Sequence, residues 1–478
     1  MKRLITICIV LTAVAMIASS AFAEVQNVKV SGDIDTKAIY RENYTLLPAS
    51  LRGATVDGHD NSLITAARLR VDADLTDNVM ATVRLLDEWQ WDTQTSTNDA
   101  TANDIVMDLA NVTLKEAFYA PLTVIVGRQP LLYGKGFIIG DPDTNTTSGD
   151  GNVGTLTDLS LQKSFDAIRT IWDYSPWTID AFFMKINETG ATTNKRDADL
   201  YGINAGTTFE KYNSEAEAYV LLLKNDQAAS PDPDGTATAI NTMYPGNEVS
   251  TFGVRGSMTP IENLNVLGEI AWQRGDYDNM AITKRDQEAM AYQIGADYTL
   301  ANWDWKPVLK AGWTHYDGEP SDNSGDHTGW IPLFEDQTHG MIANYIFGGV
   351  NGGQNSNADI LSLGASVDPT EDLNLSLDFY YFWLDEKLVT TDNAAIAHTG
   401  LGWINLAEGA GGTAYYAKAE DDLGYEVDLT LAYDYTEDVK MGLCAGWFIP
   451  GDVLDGDNAG ATNDENPIQV LATLDVAF

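Results

Sequence analysis

The chain has 478 residues and carries 28 Lys and Arg against 70 Asp and Glu, a formal net charge of −42. An acid excess of that size excludes nucleic acid as a partner, because phosphate neutralisation needs a basic surface. Beyond the amino-terminal stretch no apolar run approaches the roughly 20 residues that a membrane helix needs, so helical spanning is excluded too.

The chain opens with Lys2 and Arg3, an apolar run from Leu4 to Ile17, and Ala21-Phe22-Ala23. That order predicts a secretory signal over residues 1–23, cleaved before Glu24, and a single domain over 24–478. Cys8 lies in the discarded segment, which leaves Cys444 alone. With no intramolecular disulfide available, stability must come from burial and backbone pairing.

From Val28 onward, strand-length segments alternate in polarity. Val28, Val30, Ile34 and Ala38 oppose Lys29, Asp33, Asp35 and Lys37; Ala67, Leu69, Val71 and Ala73 oppose Arg68, Arg70, Asp72 and Asp74. The pattern returns with Tyr292, Ile294, Ala296 and Tyr298, with Leu373 to Phe379, and with Tyr425 to Tyr435, whose intervening residues include Asp297, Asp378, Glu426, Asp428 and Asp434. One face of each segment meets something greasy and the other is charged. Aromatics gather near segment ends, as at Trp172 and Tyr174, Trp303 and Trp305, Tyr381 and Trp383, and Trp447. The grouping resembles the interfacial girdles of a membrane barrel. The last segment alternates from Ile468 to Phe478, an aromatic end suited to closing a barrel. Taken alone, that strand fits the edge of a soluble sandwich equally well.

Connection lengths alternate as well. Short ones fall at Thr76-Asp77-Asn78, Tyr119-Ala120-Pro121, Ser175-Pro176, Ala301-Asn302 and Thr436-Glu437-Asp438; long ones run from Gln129 to Gln162, Asp226 to Glu248, Asp317 to Asn357 and Lys387 to Asp421. The expected fold is therefore all-β: a transmembrane antiparallel up-and-down barrel of about eighteen strands, with short periplasmic turns and long extracellular loops. Its expected place is the outer membrane of a Gram-negative bacterium. Its partners there are outer-membrane lipid and the barrel assembly machinery, and a periplasmic partner stays open.

The alternation breaks at Gly127-Arg128-Gln129-Pro130-Leu131-Leu132-Tyr133-Gly134-Lys135-Gly136, and Phe165-Asp166-Ala167-Ile168-Arg169 follows. These two motifs, with Leu423 to Leu429 leading to Phe448-Ile449-Pro450-Gly451, resemble the alginate-export family of outer-membrane barrels. The resemblance implies an eighteen-stranded channel whose lumen arginines pass a polyanionic polysaccharide, and it matches Arg128 and Arg169 by position. Parity alone adds Arg68, Arg70, Arg84 and Arg255 to the inward face. The length of the Gln129–Gln162 loop and its glycines suggest a constriction that holds Lys135 and Arg128.

The inward acids complicate that substrate. Asp33, Asp35, Asp72, Asp74, Glu269, Asp297, Asp378, Glu426, Asp428, Asp434 and Asp475 share the inward parity. A guanidinium lattice draws in polyuronates, whereas a mixed lumen repels them or merely pairs its own charges as scaffolding. The expected function is a channel for a hydrophilic solute, a polysaccharide or sugar acid if the resemblance extends to cargo. A non-conducting barrel, a sheath around an electron-transfer haem protein and an outer-membrane hydrolase stay open as alternatives. No catalytic motif appears, so neither enzyme activity nor a cofactor is expected. Asp141, Asp143, Asn145 and Asp150, and likewise Asp452, Asp455, Asp457 and Asp464, only loosely resemble calcium loops and lack the EF-hand order, so no metal is expected.

Overall fold

The computed structural model describes residues 27–43, 59–91, 105–141, 157–189, 196–225, 248–277, 285–320, 325–344, 356–387, 420–454 and 466–478. The signal segment 1–23 and the loop residues Asp143, Asn145, Asp150, Asp455, Asp457 and Asp464 lie outside these residues.

Alternation yields strands, and each short connection pairs its two strands as a hairpin. The first nine are β1 (Asn27–Glu42), β2 (His59–Thr76), β3 (Val79–Gln90), β4 (Val106–Leu114), β5 (Leu122–Gln129), β6 (Phe165–Tyr174), β7 (Trp177–Thr189), β8 (Arg196–Phe209) and β9 (Ser214–Asn225). The second nine are β10 (Glu248–Ile261), β11 (Leu264–Tyr277), β12 (Arg285–Thr299), β13 (Val308–Tyr316), β14 (Ala358–Thr370), β15 (Leu373–Trp383), β16 (Asp422–Thr436), β17 (Val439–Pro450) and β18 (Ile468–Ala477). All pair antiparallel with their sequence neighbours, and β1 pairs with both β2 and β18, so eighteen strands form one closed sheet. Closure leaves no unpaired edge, which a wall in hydrocarbon requires. Backbone bonds between Gly32 and Phe478, 2.8 and 2.9 Å long, extend the seam to the last residue.

The outward face follows the sequence parity. Val30, Leu69, Ile294, Leu377 and Leu429 stand exposed on it. So much apolar surface facing out suits a lipid solvent. Exposed aromatics mark its two margins: Tyr174, Trp177, Trp303 and Trp305 at the short turns, and Trp272, Trp313 and Trp447 towards the long loops.

The inward face departs from expectation. Its short-turn half is charged, but towards the long loops it carries Phe182, Met184, Leu221, Tyr316, Phe382 and Phe448, all buried in one apolar cluster. Inward apolar side chains need apolar partners there, because water would otherwise fill the bore. The partners come from the loops.

Candidate functional site

Two long connections turn back into the barrel. Between β5 and β6, Leu131, Phe137, Ile138 and Ile139 are buried; between β13 and β14, so are Trp330, Ile331, Leu333 and Phe334. The two segments pair with each other through a parallel bridge at Ile139 and Phe334. Gly140 N donates to Phe334 O (2.7 Å), Phe334 N to Ile138 O (2.9 Å) and Asp336 N to Gly136 O (2.7 Å). Phe137 stacks on Tyr316 of the wall, and Phe334 meets Phe165 edge to face. Lys163 closes the assembly by donating to Asp336 at 2.5 Å.

Wall groups satisfy the plug's backbone, as buried amides demand. The helical turn Met341–Ala343 points its first amides at two inward carboxylates of β16. Ile342 N and Ala343 N donate to Glu426 (2.7 and 2.8 Å), and Met341 N donates to Asp428 (3.1 Å). Gln273 of β11 accepts from Ile331 N (2.9 Å) and donates to its carbonyl (2.7 Å). Across the bore, Glu88 of β3 accepts from Leu161 N and Ser160 Oγ (2.7 and 2.8 Å), and Lys37 of β1 donates to Leu159 O (3.2 Å). The plug is thus tied to widely separated parts of the wall.

The sequence-predicted residues fall into three groups. Arg68, Arg70 and Arg84 are inward on β2 and β3, each in an ion pair, with Asp33 (2.8 Å), Asp72 (2.7 Å) and Asp108. Arg169, Arg255 and Lys135 gather at the plug. Arg169 pairs with Asp180, which also accepts from Tyr133 Oη at 2.9 Å, and the Tyr133 ring stacks on Phe182. Arg255 pairs with Glu217 and lies beneath Gly134, whose φ of +63° favours glycine and where an added Cβ would meet the guanidinium at 2.4 Å. Lys135 lines a cavity of about 120 Å³ with Arg255, Glu215, Ser257, Glu269 and Gln293.

Arg128 stands apart, and its expected place at the constriction is corrected. It follows Val124 and Val126 on the outward face and forms a bidentate pair with Asp166 (2.9 and 2.8 Å), which shares the outward face of β6 with exposed Ile168. Opposite Asp166 and Ile168, Phe165 and Ala167 fill the interior cluster. The shared parity of Arg128 with Val124 and Val126 carried the signal for the outer face, and the sequence reading missed it.

The plug contains a group sensitive to acid. His327 is buried, stacks on Tyr277 at 3.5 Å and places Nδ1 2.7 Å from Gln287 Oε1. Burial disfavours its charged form and lowers its pKa to about 4, against about 6.5 for a free imidazole. Between those values a released loop binds a proton that the docked loop refuses. Docking is therefore strongest above about pH 6.5 and weakens as pH falls towards 4. Protease cleavage of the 325–344 loop should rise between pH 7 and 4.5, and His327→Gln should reduce that rise, the remainder belonging to His339, whose burial lowers its pKa to about 4 in the same loop. An equally steep rise in the variant would assign it to other groups.

The family model described as alginate export matches residues 34–467, nearly the whole barrel. The chain belongs to the alginate export family. Solved structures similar to this alginate export barrel include those of Pseudomonas aeruginosa outer-membrane proteins. OccK2 (OpdF) in complex with glucuronate is 10% identical with a TM-score of 0.54, over 95% of this chain and 98% of that one. The outer membrane protein OprD is 10% identical with a TM-score of 0.53, over 95% of each chain. At that identity the likeness is one of fold. No curated protein matches the chain. Membership of this family supports an outer-membrane channel, and the neighbours share its fold.

Proposed function

We propose that this member of the alginate export family is a gated diffusion channel, in the outer membrane of a Gram-negative bacterium, for a small hydrophilic solute of carbohydrate size. It is not an open conduit for a polyuronate. The interlock of Ile139 with Phe334 inside the bore carries this reading, because a polymer would have to displace both loops together. The inward arginines support it. Arg68, Arg70, Arg84, Arg169 and Arg255 each already face a carboxylate, so they offer no guanidinium lattice to a chain of acids. The cavity beside Lys135 and Arg255 mixes donors with the acceptors Glu215 and Glu269, which suits hydroxyl-bearing solutes. Its volume of about 120 Å³ is the space of roughly four waters.

Carboxyl groups also face each other on the inner wall, Asp35 directly opposite Asp475 and Asp378 opposite Asp428, with Lys37 3.0 Å from Asp35. Low-dielectric walls strengthen the field of such charges, so small cations should be preferred over anions. Reversal potentials under a salt gradient across a planar bilayer test this. Arg255→Ala should strengthen the cation preference by uncovering Glu217, while Arg128→Ala, on the outer face, should leave it unchanged. Anion preference in the unaltered protein would refute the proposal, and absence of conductance under all conditions would favour a sheath or structural barrel.

A further inference from the structure

Above the aromatic margin, where β13 and β14 emerge, a histidine and aspartates converge on the outer side of the wall. His315 alternates with the inward Thr314 and Tyr316 and shares the outward face with exposed Leu309 and Trp313. Asp359 likewise stands between Ala358 and Ile360, which both fill the interior cluster. Both are buried nonetheless, beneath the roots of the two long loops that begin at Asp317 and Leu384.

We propose that His315, Asp359 and Asp385 form a binding site for one first-row divalent transition-metal ion, which fastens the roots of those loops. Ligand atoms of all three side chains lie within 4.8 Å of one another. His315 Nδ1 is 2.9 Å from Asp359 Oδ1, a spacing that two ligands each about 2.1 Å from a shared ion can adopt. The other ring nitrogen, Nε2, lies 3.0 Å from Asp317 Oδ1. A carboxylate holding the far nitrogen of a histidine is the arrangement that fixes a metal-binding tautomer and turns the opposite lone pair towards the ion. The two ligand aspartates are themselves oriented from outside the cluster. Trp313 Nε1 donates to Asp359 Oδ1 at 2.8 Å, and Gly318 N donates to Asp385 Oδ2 at 2.9 Å.

Charge points the same way. Asp317, Asp359 and Asp385 together carry three negative charges, and an imidazolium balances only one of them. Among the described residues no Lys or Arg forms an ion pair with Asp359 or Asp385. A divalent ion bound to neutral imidazole balances two of them, one more than the imidazolium does. The imidazole also selects the class of ion, since calcium and magnesium favour all-oxygen sites. Asp317 opens the loop that carries the plug, and Asp385 lies at the root of the next long loop. An ion here would tie both loops to β14.

The test is a titration of Zn²⁺ into the full-length, chelator-stripped barrel in detergent at pH 7.5, followed by calorimetry, with Ca²⁺ and Mg²⁺ as controls. One equivalent of Zn²⁺ should bind, at least tenfold more weakly in Asp385→Asn and in His315→Ala. Asp317→Asn should cost tenfold or more through the lost orientation of the ring. Co²⁺ should give visible absorption bands that His315→Ala removes, a readout that a merely structural role would not produce. Asp385 is exposed at a loop root, so Asp385→Asn remains informative if His315→Ala fails to fold. No saturable Zn²⁺ binding, binding that Asp385→Asn leaves intact, or Ca²⁺ binding as tightly as Zn²⁺ would each overturn the proposal and leave His315 as an imidazolium among carboxylates.

Discussion

Phe334→Ala combined with Phe137→Ala is expected to raise single-channel conductance several-fold. Phe334 packs edge to face on Phe165, Phe137 stacks on Tyr316, and both side chains are fully buried inside the bore. Truncating a buried Phe costs about 3–5 kcal/mol. The loss falls on the docking of two loops rather than on the wall, whose strands are held by a continuous ladder of backbone bonds. The barrel should therefore still fold and show its heat-modifiable migration. The loop pairing, left with the backbone bonds among Ile138, Gly140 and Phe334, should open. Conductance equal to that of the unaltered channel, with the loops still protected from protease, would show that ions pass without displacing them.

Arg169→Ala is expected to damage both the wall and the plug. Asp180, its partner, is only 4% exposed. Removing the guanidinium leaves a buried carboxylate with Tyr133 Oη, at 2.9 Å, as its remaining side-chain donor. Breaking a buried pair from one side costs about 3–5 kcal/mol, whereas replacing both partners can be close to neutral. Arg169→Ala should therefore lower the thermal unfolding temperature and make the open-channel current noisier as Tyr133 loses its seat. The double variant Arg169→Met with Asp180→Asn should recover most of the thermal loss. Failure of the double variant to recover would mean that packing around Arg169, not its charge, holds this corner.

The barrel was legible because a strand has a period of two and a membrane offers one apolar solvent. Leu69, Ile294, Leu377 and Leu429 had to face the same way, and short turns such as Thr76-Asp77-Asn78 left no connection but a hairpin. The plug was legible only in outline. The length of Gln129–Gln162 suggested a constriction, but its partner was missed. A signal was present: Trp330-Ile331-Pro332-Leu333-Phe334 is an apolar run inside a loop rich in Gly and Asp, and Phe137-Ile138-Ile139 is another. Such runs have no lipid to face in an extracellular loop and must be buried against something.

Arg128 shows how local pattern and motif can compete. Its parity with Val124 and Val126 is a signal for the outer face, but the expectation followed the motif and the neighbouring loop and put it at the constriction.

The sequence by itself determined the strands, their number, which residues face lipid, and that acids and bases share the lumen. Each of these depends on neighbours one or two positions apart, where covalent geometry sets direction. Only the tertiary structure decided which charges cancel. Arg84 meets Asp108 and Arg255 meets Glu217 across strands separated by long loops, so their pairing depends on register. It also decided that Ile139 lies beside Phe334, nearly two hundred residues away, because two loops excluded from water inside one bore can bury their apolar side chains only against the wall and each other.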